Sequence, residues 1–256
     1  MKILIIGDIV GGPGRDAVAK VLPDILQSDT IDFVIANAEN IAHGRGVTKE
    51  TLKQMQDVGV DYFTSGDHLF WQKGSLDIIE GLPVIRPANY PKTVPGEGYK
   101  VFDLGDKGKI LLTNLMGSTF LNERLDDPFS MADMILEKYK DEKSLLTLVD
   151  FHAEATSEKY ALGFYLDGRV TSVTGTHTHV PTCDNRVLPK GTLFVTDVGM
   201  SGNVDSVLGV KKELIIDMYT TALNQKFEWE DSGRKVFNSV LIDTEEKSIR
   251  RIDKYL

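Results

Sequence analysis

Short apolar runs rich in leucine, isoleucine and valine recur along this chain, with helix-like segments between them. Residues 2–6, 33–36 and 60–64 are largely apolar at successive positions, whereas residues 15–27 and 48–58 carry apolar residues every three or four positions. A strand covered by helices on both faces reads as a continuous apolar run, and an amphipathic helix has a period of about 3.6 residues. This alternation predicts an α/β fold with a largely parallel sheet.

Two antiparallel elements interrupt the alternation, so we expect mixed sheets. Residues 99–104 and 109–114 flank a glycine-containing turn and predict a β-hairpin, and residues 227–252 have the pattern of closing antiparallel strands. The glycine-rich segment 11–14 matches no nucleotide-binding glycine pattern and predicts a turn before the first helix. Further strands are predicted at 84–89, 145–149, 170–173 and 192–195, and further helices at 128–139, 156–166 and 211–224.

The overall composition limits the classes of protein to consider. The 256 residues suffice for a single large domain, 1–256. A net charge of -9 argues against stable nucleic-acid binding, and no apolar stretch approaches the roughly 18 residues of a membrane span. Cys183 is the only cysteine, which excludes a disulfide within the chain, and we expect a cytoplasmic protein.

The segment 175–179 is the hardest to explain as an ordinary loop. It places His177 and His179 two residues apart, just after an apolar run. On an extended backbone, residues two apart point the same way, so the imidazoles could converge on one metal ion or on two neighbouring ions. A pair of unremarkable loop histidines is the alternative, because short metal-binding patterns often arise by chance.

Other side chains able to bind metal follow the other apolar runs. Four of the five histidines fall at such positions, and His43 lies in a loop close behind one of them. Because ligands in α/β proteins bind beyond the carboxyl ends of strands, we expect these groups to lie together. They are Asp8, Glu39, Asn40, Asp67, His68, His152, His177 and His179.

The number and kind of these donors predict a two-metal site for phosphate chemistry. Mixed carboxylate and imidazole donors suit Mn, Fe, Zn or Co better than Mg or Ca, which prefer oxygen ligands alone. The set exceeds what one ion takes from a protein, so two ions sharing a carboxylate are expected. Two ions about 3.5–4 Å apart can deprotonate a water and neutralise phosphate oxygens. The chemistry implied is hydrolysis of a phosphoester.

Five segments that carry these residues are long enough to compare with known families: Gly7-Asp8, Asn37-Ala38-Glu39-Asn40, Gly66-Asp67-His68, Asp150-Phe151-His152-Ala153-Glu154-Ala155-Thr156 and Gly175-Thr176-His177-Thr178-His179. They resemble the motifs of the calcineurin-like metallophosphoesterases, and most closely the bacterial YmdB-like branch. The resemblance implies a four-layer α/β/β/α sandwich with two mixed central sheets and a dinuclear centre at the strand ends.

The resemblance also implies a role for each residue. His68 would face the substrate as general acid, which the near-neutral pKa of histidine permits. Arg45 and Arg86 are candidates for binding the substrate's phosphate or base, with a structural role as the alternative. One ion would be held by Asp8, Glu39, Asn40 and His179, and the other by Glu39, Asp67, His152 and His177, so that Glu39 bridges them.

The implied activity is hydrolysis of 2′,3′-cyclic nucleotides, and in some members 3′,5′-cyclic nucleotides, by a metal-bridged hydroxide. Fe, Mn or both are the expected metals, and the family is compatible with a homo-oligomer. Two alternatives stay open. One is a phosphomonoesterase or nucleotidase on the same scaffold, and the other is a weakly active regulatory protein that binds a phosphate signal.

Asp67 departs from the family pattern, which has asparagine at this position. A carboxylate there should hold metal more tightly, weaken the Lewis acidity of the ions and raise the pKa of the bridging water. We therefore expect a slower or more alkaline-shifted enzyme, and the alternative is a site that has lost activity. The first motif, Asp8-Ile9-Val10, also lacks the histidine found in most of the wider class, as does the YmdB-like branch.

Overall fold

The computed structural model describes residues 1–72 and 74–256 and contains two six-stranded sheets flanked by helices. The strands are β1 (Lys2–Ile9), β2 (Phe33–Asn37), β3 (Tyr62–Thr64), β4 (Tyr99–Asp103), β5 (Lys109–Met116), β6 (Leu145–His152), β7 (Ser172–Thr176), β8 (Arg186–Val187), β9 (Leu193–Val195), β10 (Met200–Asn203), β11 (Lys235–Asp243) and β12 (Ser248–Tyr255). The helices are α1 (Gly11–Ser28), α2 (Lys49–Gln56), α3 (Ser75–Ile78), α4 (Pro128–Lys138), α5 (Thr156–Tyr165) and α6 (Lys212–Thr221).

Both sheets are mixed, as the sequence predicts. The first has the order β12-β11-β10-β1-β2-β3, in which β1 pairs in parallel with β2 and β10 and antiparallel with β11. The second has the order β4-β5-β6-β7-β9-β8, with a parallel centre and an antiparallel strand at each edge. The predicted hairpin is confirmed as the antiparallel pair β4–β5.

Alternate side chains of β1 face opposite layers. Leu4 belongs to the buried cluster that contains Leu22 of α1. Its neighbour Ile3 belongs to a second cluster, together with Ile110 of β5 and Leu148 of β6. Successive residues of a strand point to opposite faces, so the first sheet packs against helices on one face and against the second sheet on the other.

The second sheet repeats this arrangement on its far side. Leu111 of β5 and Val149 of β6 pack with Ile135 of α4 and Leu162 of α5 in a third buried cluster. The layer order is therefore α/β/β/α, and the predicted four-layer sandwich is confirmed. In the described part of the chain, no helix combines the length and apolar character that crossing a bilayer requires.

Three local predictions differ from the structure. The segment 11–14 is the first turn of α1 itself, and Gly11 has a φ of 56°. Pro13 is tolerated there, because the first turn of a helix does not need the N–H that proline lacks. Residues 84–89 form an isolated bridge from Val84 to Phe63 in place of a strand, since Pro87 cannot donate to a ladder. The closing antiparallel pair begins at Lys235, later than predicted.

Candidate metal centre

The predicted metal-binding side chains meet at the carboxyl ends of the central strands. Asp8 lies near the end of β1 and His152 ends β6, while Glu39, Asp67 and His177 follow β2, β3 and β7. These strands belong to both sheets, so the site lies where the two sheets open toward the same edge. Parallel strands bring residues distant in sequence to one edge, and the chain assembles the cluster in this way.

A bulge and a close backbone approach orient Asp8. The β1–β2 register shifts between Ile6 and Asp8, and such irregularities redirect the side chains beside them. A Cβ on Gly7 would lie 1.7 Å from the carbonyl oxygen of Gly199, so only glycine allows the backbones to come so close. The Asp8 side chain is fully buried as a result.

The first group of donors consists of Glu39, Asp67, His152 and His177. His152 Nε2 lies 3.0 Å from Glu39 Oε2 and 3.2 Å from Asp67 Oδ1. His177 Nδ1 lies 2.9 Å from His152 Nε2. One ligand atom from each residue lies within 4.8 Å of the others, which is close enough for all four to contact one ion.

The second group consists of Asp8, Glu39 and His179, so Glu39 belongs to both groups. Asn40 completes it, with Nδ2 2.7 Å from Glu39 Oε1 and 3.1 Å from His179 Nε2. A metal would take Asn40 through its oxygen, so ligation requires this amide to turn over. Two groups that share one carboxylate match the predicted arrangement for two ions, and the assignment of individual ligands stays a proposal.

The chemistry of these donors fits a pair of divalent cations. Asp8, Glu39 and Asp67 place three carboxylates in one largely buried cluster. Asp8 Oδ1 is buried and has no hydrogen-bond partner among the described residues. Buried polar atoms are normally paired, and a cation bound beside Asp8 would satisfy this one.

The pKa shifts of the cluster agree with this interpretation. Burial raises the pKa of Asp8 to about 8, with a smaller contribution from Glu39, against the opposing effect of His152. Burial alone would lower the pKa of His152, but Glu39 and Asp67 outweigh it and hold the pKa well above its ordinary value. Near neutral pH the ion-free cluster therefore retains protons that a bound cation would replace.

Neighbouring groups fix which nitrogen each histidine presents. His179 Nδ1 donates to the Leu208 carbonyl at 3.1 Å, which directs Nε2 toward Asp8. Thr176 donates its hydroxyl proton to Asp150, so at 2.9 Å it accepts from His152 Nδ1 and leaves Nε2 facing the cluster. Such partners orient ligand histidines and set their tautomers.

The backbone between His177 and His179 is not extended. β7 ends at Thr176, and His177 and His179 have φ angles of 97° and 63°. The prediction of an extended backbone that places both imidazoles on one face is therefore wrong for this segment. Left-handed backbone at two non-glycine residues persists only where surrounding contacts stabilise it, and here it sends the imidazoles to different donor groups.

A buried ion pair between Lys159 and Asp197 lies behind this segment and supplies such contacts. Lys159 Nζ lies 2.6 Å from Asp197 Oδ2 and donates to the Thr176 carbonyl at 2.7 Å. Asp197 also accepts from the backbone N–H and hydroxyl of Thr178. A lysine in a helix is usually solvated, so only the packing of α5 reveals that Lys159 is buried.

His68 lies at the rim of the cluster. Its Nδ1 is 2.8 Å from Asn40 Oδ1, and its Nε2 is 3.3 Å from Asp67 Oδ2. The side chain retains 22% exposure, whereas that of His152 has none. His68 is thus held between the ligand groups and solvent, where a substrate could reach it.

The two predicted substrate-binding arginines have different surroundings. Arg86 is buried, and its guanidinium donates to the carbonyls of Pro87, Val94 and Pro95. This geometry stabilises the 87–95 loop and does not favour the predicted role in substrate binding. Arg45 is partly exposed and lies over the ring of Trp71, 4.7 Å from its centroid.

The comparison with protein families agrees with this geometry. The family of YmdB-like proteins matches residues 4–254. The chain belongs to this family. The resemblance of the five sequence motifs is therefore confirmed, and the YmdB-like match extends well beyond the last of them, which ends at His179.

A curated relative and two solved structures that are similar to this chain cover nearly all of it. A 2′,3′-cyclic-nucleotide 2′-phosphodiesterase of Bacillus subtilis (strain 168) is 43% identical over 254 residues, which is 98% of this chain and 94% of the relative. A hypothetical protein of Thermus thermophilus has a TM-score of 0.90 at 40% identity, covering 100% and 99% of the two chains. A phosphatase of Mycoplasma pneumoniae has a TM-score of 0.89 at 34% identity, covering 100% and 93%.

Proposed function

We propose that this chain is a metal-dependent phosphodiesterase that opens the cyclic phosphate of 2′,3′-cyclic nucleotides. The observation that carries the proposal is the pair of donor groups joined by Glu39, with His68 beside both. The Bacillus subtilis relative, at 43% identity, has this activity in its name. A cyclic phosphodiester needs charge neutralisation at phosphorus and a proton for the leaving alkoxide, and the site has groups for both.

The proposed ligands divide as the two groups divide. Asp8, Asn40 and His179 hold one ion, Asp67, His152 and His177 hold the other, and Glu39 serves both. Iron and manganese are our proposed metals, because mixed imidazole and carboxylate ligands suit them. When bound, the ions supply Lewis acidity that neutralises phosphate oxygens and makes a nucleophile available at neutral pH.

His68 is the proposed general acid. When the Asn40 amide turns over to bind an ion through its oxygen, its nitrogen replaces Oδ1 beside His68 Nδ1 and donates to it. The proton of the neutral ring then lies on Nε2, which is 3.3 Å from Asp67 Oδ2. In our proposal Nε2 donates a proton to the ribose oxygen that leaves phosphorus, and the product is a nucleoside monophosphate. For a 2′-phosphodiesterase that oxygen is the 2′-oxygen and the product carries a 3′-phosphate.

Other aspects of the proposal rest on the sequence alone. With Cys183 as its single cysteine, the chain is compatible with the reducing cytoplasm of a bacterium, and its length suits one domain over 1–256. Turnover of 3′,5′-cyclic nucleotides is proposed as a secondary activity, and homo-oligomerisation is compatible with the family. A phosphomonoesterase on the same scaffold is the competing function, because the metal ligands alone do not select the leaving group.

A substrate panel tests the proposed function. We expect the Mn²⁺- or Fe²⁺-loaded protein to convert 2′,3′-cyclic AMP to 3′-AMP faster than it hydrolyses 3′,5′-cyclic AMP, and to leave 3′-AMP intact. Chelation should abolish the activity and reloading should restore it. The products are resolved by chromatography, and metal identity is read by anomalous scattering at the Mn and Fe edges. Rapid loss of phosphate from 3′-AMP would instead support the monoesterase.

Asp67→Asn should shift the pH dependence of hydrolysis to lower pH. The carboxylate adds negative charge within one donor group, 3.2 Å from His152 and 3.3 Å from His68. Removing one negative charge at this range lowers the pKa of a nearby group, here the bridging water, by about 1–3 units. We therefore expect the half-maximal rate at lower pH and a higher rate at neutrality. The pH–rate profiles of both proteins measure this effect.

Asp133→Asn is the control for this comparison, because Asp133 pairs with Arg169 on the exposed surface of α4. Its profile should superpose on that of the unmodified protein. Metal affinity should fall in Asp67→Asn, since a neutral amide attracts a cation less than a carboxylate does. An unaltered profile in Asp67→Asn would contradict the electrostatic argument.

A further inference from the structure

We propose that Trp71, with Arg45 on its ring, is the surface on which the nucleobase of the substrate stacks, and that purine 2′,3′-cyclic nucleotides are the preferred class. This inference rests on the proposed function and adds a specificity-determining residue to it.

The indole lies directly beside the proposed general acid. The ring centroids of Trp71 and His68 are 4.7 Å apart, and the ring planes meet at 67°. If His68 donates its proton to a ribose oxygen, the base on the same ribose is one sugar ring away from His68. Trp71 is therefore close enough for the base to reach it when the leaving oxygen lies at His68.

The exposed ring of Trp71, together with Arg45, is suited to stacking against a nucleobase. Trp71 is 53% exposed. Exposing a large apolar side chain to water is unfavourable, and a bound base would cover this surface. The Arg45 guanidinium carbon lies 4.7 Å from the ring centroid, which gives the platform a positive charge in an otherwise acidic site. Aromatic rings combined with arginine bind bases by stacking and cation–π attraction.

The two loops that carry the platform are tied to each other. Gln72 Nε2 donates to the carbonyl oxygens of Ala42 and Arg45, at 3.1 and 2.6 Å. A Cβ on Gly46 would lie 2.8 Å from Gln72 Cγ, so the loops pack without space between them. The backbone N–H of Trp71 also donates to the His68 carbonyl at 3.0 Å. The platform and His68 are thus pre-organised, which lowers the entropy cost of ordering a bound base.

A larger π surface stacks more strongly, so the platform should favour adenine and guanine over uracil and cytosine. Trp71→Ala should lower kcat/KM for 2′,3′-cyclic AMP relative to that for a base-free ribose 2′,3′-cyclic phosphate. Loss of base–aromatic stacking weakens binding by about 5- to 150-fold, and we expect the ratio of the two kcat/KM values to fall by that factor. Trp71→Phe, which keeps a stacking ring, should recover most of the ratio.

A direct binding measurement accompanies the kinetics. The chain has two tryptophans, so titration with 3′-AMP should quench the fluorescence of the unmodified protein and should quench Trp71→Phe, in which Trp229 remains, much less. Phe164→Ala is the matched control. Phe164 is 50% exposed on α5, and the Arg186 guanidinium carbon lies 5.9 Å from its ring centroid, so it presents a similar pair elsewhere in the fold.

The two proposals fail separately. An unchanged ratio in Trp71→Ala, or an equal fall in Phe164→Ala, overturns the stacking platform and leaves the proposed function standing. Absence of turnover of every cyclic nucleotide, with Trp71-dependent quenching by 3′-AMP retained, overturns the proposed function and supports the platform. Absence of both turnover and quenching overturns both.

Discussion

His68→Ala is expected to lower kcat for 2′,3′-cyclic AMP by about 10²- to 10⁴-fold, the usual contribution of a positioned general acid. The ring lies at the rim of both donor groups, with Nδ1 held by Asn40 and Nε2 beside Asp67. Removing it takes away the proton for the leaving ribose oxygen but none of the residues proposed to hold metal. Metal content, measured by elemental analysis, should stay near that of the unmodified protein.

A substrate with a better leaving group separates this role from a structural one. A p-nitrophenyl phosphodiester releases a phenolate that needs little protonation, so His68→Ala should lose much less of its activity toward this compound. His43→Ala is the control, because His43 is the fifth histidine and is exposed in the neighbouring loop. Equal losses on both substrates would contradict the general-acid role.

Gly66→Ala is expected to disrupt metal binding itself. A Cβ on Gly66 would lie 2.2 Å from Glu39 Oε2 and 2.2 Å from His152 Nε2, two atoms of the donor groups. Neither neighbour can yield easily, because both side chains are buried and His152 is also held through Thr176. Displacing even an outer partner of a metal ligand costs about 10–100-fold in affinity, and a direct clash should cost at least as much.

Calorimetric titration with Mn²⁺ measures this effect, and thermal unfolding of the chelated protein shows whether the fold survives. Gly81→Ala is the matched control, because a Cβ there would meet no atom within 4 Å. We expect unchanged metal affinity in the control and a large loss, with activity, in Gly66→Ala. Normal Mn²⁺ affinity in Gly66→Ala would show that the ions lie elsewhere.

The repeated apolar runs predicted the α/β fold class correctly for a physical reason, whereas the four-layer order was implied by the family resemblance. A strand buried between two layers must be apolar on both faces, and β1 shows this in consecutive residues such as Ile3 and Leu4. The polar residues that follow such runs stand out because a polar side chain buried at a strand end needs a bonding partner, such as a metal ion. For this reason the candidate metal ligands could be identified without coordinates.

The predictions that differ from the structure concern segments where the local sequence pattern carries less information. The glycine-rich segment 11–14 was predicted as a turn before the helix, but Gly11 N–H donates to the Asn40 carbonyl and Gly14 N–H to the Val10 carbonyl, so the segment opens α1. The predicted strand at 84–89 failed because Pro87 interrupts the ladder. Arg86 has a side chain suited to phosphate, yet its surroundings are backbone carbonyls, which no sequence period reveals.

The sequence by itself determined the fold class, the family and the set of donors, because apolar periodicity and long motifs are local properties of the chain. The tertiary structure showed that these donors lie together in two groups that share Glu39, and it alone revealed how Lys159 and Asp197 hold the segment after β7. It also placed Trp71 beside His68. Such contacts mostly join residues far apart in the chain, and their geometry follows from the packing of both sheets.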